Sequence, residues 1–148
     1  AAAMLAQTGG VQPMTDWPLM TEAELHALGV DLLVPRLASE HFTVETVDHR
    51  PSQLVQVTGR RWTLPGVIAV RTACFPERGE LTLDEFYRLL AAARKAGGLP
   101  FFASVGLACD AYPDGTEVTR DEDRGRPIRS GRFRLDYDGL LVAAVSKD

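Results

Sequence analysis

The sequence predicts an α/β domain: a helix, a three-strand meander, a second helix and a buried strand, closed by a C-terminal β-hairpin. Three observations carry this prediction. Thr82-Leu83-Asp84-Glu85 has the form of a capping box, in which the threonine hydroxyl accepts from the third helical amide and the glutamate reaches back to the cap amide. After the helix that begins there, PFFASVGLA has the continuous apolar character of a strand covered on both faces. Before it, the extended segments between Phe42 and Val70 are close enough in sequence to form a meander. Strand, helix, strand in that order requires a crossover and so gives a parallel pair.

The elements follow in order. From Thr21 onward, Leu25, Leu28, Val30, Leu32, Leu33 and Leu37 fall near helical spacing, while Gly29 and Pro35 interrupt it, so the opening helix is expected to be kinked or split. HFTVETVDHR alternates Phe42 and Val44 against Thr43 and Glu45, as a half-buried strand does. After a break at Pro51, Leu54 to Thr58 is the next extended run. Gly59 is expected to begin a turn into Trp62, Thr63 and Leu64, and Pro65-Gly66 to break the chain again before Val67 to Val70. In the second helix Leu83, Phe86, Leu90 and Ala93 form the apolar stripe, Arg88, Arg94 and Lys95 lie off its centre, and Gly97-Gly98 with Pro100 stops it. Asp110 to Ser130 is polar, with Pro113-Asp114-Gly115 as a turn and RDEDRGRPIRSGR as a mixed-charge loop expected to be mobile. FRLDY and LLVAAV, separated by Asp138-Gly139, carry the signal of a two-residue hairpin.

Length and composition bound the function. A chain of 148 residues that is 45% hydrophobic buries one ordinary core, so one domain over residues 21–148 is expected, with 1–20 as a flexible tail and 110–131 as a polar loop. A net charge of −4 and a pI near 5.4 lack the basic balance of a strong phosphate-backbone binder. Cys74 and Cys109 are far apart and have no metal-ligand spacing, so they read as ordinary thiols in a reducing compartment, and neither a metal nor a cofactor is expected. No apolar run approaches the roughly 18 residues needed to span a bilayer. The N-terminal stretch does not read as a signal peptide, Met4, Met14 and Met20 are each candidate starts, and a cytoplasmic location is expected.

The order of elements from Glu22 to Ala108 resembles the restriction-endonuclease-like, PD-(D/E)xK superfamily, and its text is closest in pattern to archaeal-type Holliday junction resolvases. Pro51-Ser52-Gln53-Leu54-Val55 is similar to the strand opened by a proline-aspartate pair, GRRW to the basic and aromatic turn, and VIAVRTA to the strand carrying a carboxylate, a spacer and a lysine. The resemblance implies two carboxylates that hold a divalent cation and a lysine beside the attacking water. This chain departs at each position: Ser52 stands for the aspartate, Ala69 for the carboxylate and Arg71 for the lysine. Alanine binds no cation, and arginine, with a pKa above about 12, is a poor proton acceptor. Asp48, Glu77 and Glu80 are explained more simply by surface solvation than as replacement ligands. The reading that follows is a pseudo-nuclease, with Ala69 an ordinary core residue.

Binding then becomes the expected activity. Arg50, Arg60, Arg61, Arg71 and Arg78 are the candidate phosphate contacts, and an Arg71 held in a local ion pair would instead be satisfied without a ligand. Trp62 and Phe75 could stack on bases, although core or interface roles are the commoner use of such residues. His26, His41 and His49 form no catalytic set, and no glycine-rich phosphate loop precedes a helix. GRFRLDYDGLLVAAV also resembles the closing hairpin of type III secretion chaperone-like, YbjN-like domains, small acidic dimers that bind proteins. Strand direction separates the two resemblances: a resolvase-like core needs Phe101 to Leu107 parallel to a meander strand, and the chaperone-like sheet is antiparallel. Both tend to pair, and Phe133, Leu135, Tyr137 and Leu140 to Val145 are apolar, so a homodimer is expected alongside a nucleic-acid or protein partner and no membrane.

Overall fold

The computed structural model describes residues 17–144, so Met4, Met14 and the first part of the expected tail, together with Val145, lie outside the described residues. Helix α1 (Glu22–Leu33) opens with a capping box of its own: Glu24 N donates to Thr21 Oγ1 at 3.2 Å, and Thr21 N donates to Glu24 Oε1 at 2.8 Å. It tightens at Pro35 into a 3-10 helix, Val34–Glu40, which ends at His41 in the left-handed region, φ 62°. The split expected of this segment is therefore a change of helix type at a proline placed in a first turn. Gly29 does not break α1. A Cβ there would sit 2.2 Å from Thr72 Oγ1, so the glycine lets the helix approach the sheet closely.

Strands β1 (Phe42–Val47), β2 (Val57–Arg61) and β3 (Leu64–Cys74) form the antiparallel meander; helix α2 (Leu83–Ala96) leads to β4 (Leu99–Ala111), which lies parallel to β3 from Gly66↔Leu99 to Cys74↔Leu107. A single turn, α3 (Asp121–Arg124), precedes β5 (Arg132–Asp136) and β6 (Leu141–Val142), both antiparallel to β4. The sheet order is β1-β2-β3-β4-β5, with β6 also on β4. Alternation along β3 and β4 feeds two cores. Ile68, Val70, Phe101, Ala103, Val105 and Leu107 pack under α1 with Val30, Leu33 and Leu37, while Val67 and Ala69 pack under α2 with Leu89 and Ala93. The α2 cap forms as its sequence predicts, and Gly97 ends the helix at φ 71°. Its buried stripe is centred on Leu89 and Ala93, and Leu83 is left exposed. Among the described residues no helix is long and apolar enough to cross a membrane.

Three sequence expectations are corrected. Gly59, Pro65 and Gly66 lie within strands, and the reversal between β2 and β3 is the Trp62-Thr63 turn closed by Arg61↔Leu64. Gly59 is required by proximity, since a Cβ there would meet Thr43 O at 2.0 Å. Next, the Asp138-Gly139 pair makes no hairpin. β5 and β6 run on in one direction along the same edge of β4, and Tyr137 to Leu140 bulge out between them. Arg78 holds Asp136 and Asp138 at 2.5 Å each, Glu40 accepts from the Tyr137 hydroxyl and, at 2.8 Å, from Leu140 N, and Gly139 supplies φ 117°. Burial and the Glu40 carboxylate push the Tyr137 phenol well above its ordinary value. Phe133, Leu135, Tyr137 and Leu140 thus pack on the chain's own core, leaving Leu141 and Val142 exposed.

The third correction concerns the polar segment. Tyr112 donates to Asp123 Oδ2 at 2.6 Å beneath Val118 and Ile128, and Trp17 stacks on the Tyr112 ring. Burial, reinforced by Asp123, pushes the Tyr112 phenol up to about 12. Met20 N donates to Pro127 O, and Arg129 N to Pro18 O, so the last four residues of the expected tail are bound to the loop expected to be mobile.

Gly59→Ala is expected to cost about 3 kcal/mol or more in urea unfolding, because the contact it creates is with backbone. Gly97→Ala, with nothing within 4 Å, should cost only the roughly 1–2 kcal/mol of a left-handed alanine. A Gly59→Ala protein as stable as the wild type would show that β1 is free to move aside.

Candidate functional site

Burial on both faces ends at the C-terminal part of β3, where Arg71 and Thr72 reach a cleft of about 480 Å³. Its walls are Glu22, Leu25 and His26 from α1, Pro51 from the β1–β2 connection, Gly79 and Glu80 from the loop before α2, and Glu85 from the first turn of α2. Of the three positions matched to a nuclease centre, only Arg71 lines this cleft. Ser52 is exposed in the turn after Pro51, and Ala69 is fully buried with Val67, Leu89 and Ala93.

Arg71 is fixed by its neighbours. Its side chain is 14% exposed, and its Nε and Nη2 donate to Glu85 Oε2 at 3.2 and 2.9 Å. Nη1 donates to Gln56 Oε1 at 3.1 Å and to Val70 O at 2.8 Å. Glu85 is also the capping-box residue, and its other oxygen accepts from Thr82 N at 3.0 Å. Burial pushes this carboxyl up, but the Thr82 amide and the Arg71 guanidinium outweigh it and hold the group below its ordinary value. One side chain therefore starts α2 and anchors the end of β3.

Gln56, which sequence reasoning passed over, completes the cluster. It is 1% exposed; Oε1 accepts from Val70 N at 2.7 Å and Nε2 donates to Gln53 O at 2.6 Å. The available signal was an amide within the apolar run Leu54 to Val57, since a buried amide needs partners for both ends.

The remaining candidate arginines do not converge on the cleft. Arg50 pairs with Asp48, with Nη2 and Nε at 2.8 and 3.0 Å, and those hydrogen bonds hold the Asp48 carboxyl down to about 2. Arg60 donates to Thr63 O at 2.8 Å and faces Glu45. Arg61 lies over the Phe101 ring at 4.9 Å. Arg78 is held by Asp136 and Asp138. Arg61 pairs with Leu64, seven residues before Arg71 along β3, which is roughly 23 Å at strand rise. Trp62 stands exposed at the turn, stacked on His41 beside a second, apolar groove. Glu77 is exposed, and among the described residues no three His, Cys, Asp or Glu side chains are grouped to hold a metal ion. Cys74 and Cys109 are free, and burial pushes both thiols up.

Two polar atoms beside the cleft are buried without a protein partner: His26 Nε2 and Thr72 Oγ1. His26 is 7% exposed, and burial pushes its imidazole below the ordinary histidine value, with Arg71 and His49 adding to the shift and Asp48 opposing it. His49 itself contacts Asp31 at 2.6 Å on the surface.

The model of one protein family, a domain of unknown function (DUF8840), matches residues 23–143, and the chain belongs to that family. No curated protein and no solved structure matches it.

Gln56→Leu leaves Val70 N–H and Gln53 C=O unpaired in the interior and is expected to cost about 3 kcal/mol, against near-neutrality for Gln53→Ala, which keeps the accepting carbonyl. Chemical denaturation of the two variants checks this; equal stability would remove the structural role of Gln56. His26 sets a pH dependence. Its folded value is lowered, so as pH falls below about 6.5 the unfolded chain takes up the proton first, and stability declines until the folded value is passed. Unfolding at pH 7 and pH 5.5 should therefore show a steeper loss for the wild type than for His26→Gln, and identical slopes would refute the assignment.

Proposed function

We propose that this chain is a catalytically inactive endonuclease-like domain that acts as a binding module. The observation that carries the reading is the Arg71–Glu85–Gln56 cluster. At the end of β3, where the resemblance asks for carboxylates and a proton-accepting lysine, the chain has a guanidinium already bound by a helix-capping carboxylate, with Ala69 packed under α2. Neither can ligate a cation or take a proton from water. The mixed sheet supports the fold part of the reading: β1, β3 and β4 share one direction and β2 and β5 oppose it. The β3–β4 ladder is parallel, as a resolvase-like core requires. The secretion chaperone-like alternative loses its support on both counts, because its sheet is antiparallel whereas Phe101 to Leu107 also pair in parallel with β3, and because no hairpin forms around Asp138-Gly139.

Among binding partners, nucleic acid is the less favoured. Arg50, Arg60, Arg71 and Arg78 each donate to a carboxylate or a carbonyl, and Arg61 lies over the Phe101 ring, so phosphate contact would compete with an existing hydrogen bond or ion pair at four of the five. A protein partner, a second copy included, would find the groove of about 700 Å³ between Leu83, Phe86, Phe102 and Leu141.

The expected outcome is no magnesium- or manganese-dependent cleavage of duplex or branched DNA, and no DNA retention at low salt, where counterion release favours binding most. Cleavage that disappears in Asp48→Ala or Glu80→Ala would reverse the reading, since it would identify working metal ligands.

A further inference from the structure

The 480 Å³ cleft between the first turns of α1 and α2 has polar groups that the fold does not use. Its charged lining is Glu22, Glu80, Glu85 and Arg71. Arg71 and Glu85 neutralise each other at 2.9 Å. Glu22 and Glu80 are exposed, and no ion pair engages either one among the described residues. Nearby, Asp48 is matched by Arg50 and His49 faces Asp31, so neither changes the sign of the cleft.

His26 supplies the independent observation. It is more than nine-tenths buried, it lines the cleft, and its Nε2 has no protein partner; Thr72 Oγ1, on the facing strand, has none either. With the proton on Nδ1, the imidazole Nε2 is an acceptor, and a hydroxyl oxygen accepts as well. A buried polar atom left without a partner is costly, so an occupant that satisfies it gains that free energy.

The unused groups are thus two carboxylates, an imidazole nitrogen and a hydroxyl that can each accept, and the cation among the described lining residues, Arg71, is committed. An anion would meet Glu22 and Glu80 with nothing to balance them. A divalent metal would find no group of three ligating side chains among the described residues. A neutral ligand would leave both carboxylates unmatched. Only a cation rich in N–H donors answers every feature.

We propose that this cleft binds an alkylammonium or guanidinium group, with Glu22 and Glu80 balancing its charge and His26 Nε2 and Thr72 Oγ1 accepting its N–H donors. The volume is within the range of small-ligand sites and suits a polyamine or one long basic side chain. The proposal rests on the binding-module reading and names the ligand chemistry of its cleft.

The test is a calorimetric titration, with the His26 imidazole resonances followed by NMR, of the full chain with spermidine, with an acetylated and amidated peptide carrying one arginine or lysine, and with inorganic phosphate. Saturable binding of spermidine or peptide that shifts His26 is expected, and it should weaken at least about tenfold in the Glu22→Gln, Glu80→Gln double variant, whose substituted side chains are exposed. Spermidine binding alone assigns a free polyamine, and peptide binding alone assigns a partner's basic side chain. No saturable shift with either, a shift that survives the double variant, or tighter binding of phosphate overturns the proposal. Those failures leave the absence of DNA cleavage untouched, whereas metal-dependent cleavage would remove the inactive-module reading with the amine titration still to be read.

Discussion

The parallel ladder of β3 and β4, from Gly66↔Leu99 to Cys74↔Leu107, forces most of the remaining architecture. A parallel connection needs a crossover, so α2 must lie across one face, and the other face stays exposed unless a second helix covers it. α1 does so, over Ile68, Val70, Phe101 and Val105. With both faces dry, every polar group near the middle of these strands needs a protein partner, and beyond Val70 β3 meets solvent again towards its carboxyl end. Arg71 and Thr72 stand there, between the first turns of both helices. Crevices at the carboxyl ends of parallel strands are where α/β sheets hold their ligands, and here two buried polar atoms without a protein partner, His26 Nε2 and Thr72 Oγ1, fall at the same place.

The Arg71 cluster shows how a partly buried charge is tolerated at that boundary. Desolvating a guanidinium is costly, and the cost is offset only when the geometry also satisfies its donors. Glu85, Gln56, Val70 O and Leu54 O together do this. Because Glu85 simultaneously caps α2, loosening Arg71 would also loosen the start of the crossover helix. An arginine so placed is poorly suited to capturing phosphate, since it would have to abandon a carboxylate that the helix itself needs.

Local chemistry made part of this legible in sequence. The capping box at Thr82 and the left-handed Gly97 are determined by residues within a few positions of one another, and the parallel pair follows from the order of apolar runs. An equivalent box at Thr21 and Glu24 had the same signature and was there to be read. Glycine was the main source of error. Gly29, Gly59 and Gly66 carry the same letter as a turn glycine, but they serve close approach of α1, β1 and the Phe42 and Phe101 rings, which depends on pairings no local window contains. Asp138-Gly139 failed for a related reason: a left-handed glycine suits a bulge as well as a hairpin, and the choice was made by Glu40 and Arg78, 100 and 60 residues away in the contacts that pin it. In the polar segment, Tyr112, Val118 and Ile128 are too irregularly spaced to show periodicity, yet they share a core with Cys109.

The candidate site was half visible for the same physical reason. Arg71 could be singled out from its strand, but its meaning depended on Glu85, which the sequence offered only as a capping residue. Pairing cancels the cation and leaves Glu22 and Glu80 to set the sign of the cleft, so the residue that suggested an anion site belongs to one that attracts cations. The chain's excess of acidic over basic residues, 20 against 16, works in the same direction at long range, since a negative field raises encounter rates with cationic groups and fades with salt. At short range, selection rests on donors. A buried imidazole nitrogen and a buried hydroxyl oxygen reward an N–H group and gain nothing from a bare charge, so the same cleft that draws in any cation should retain one that can donate hydrogen bonds.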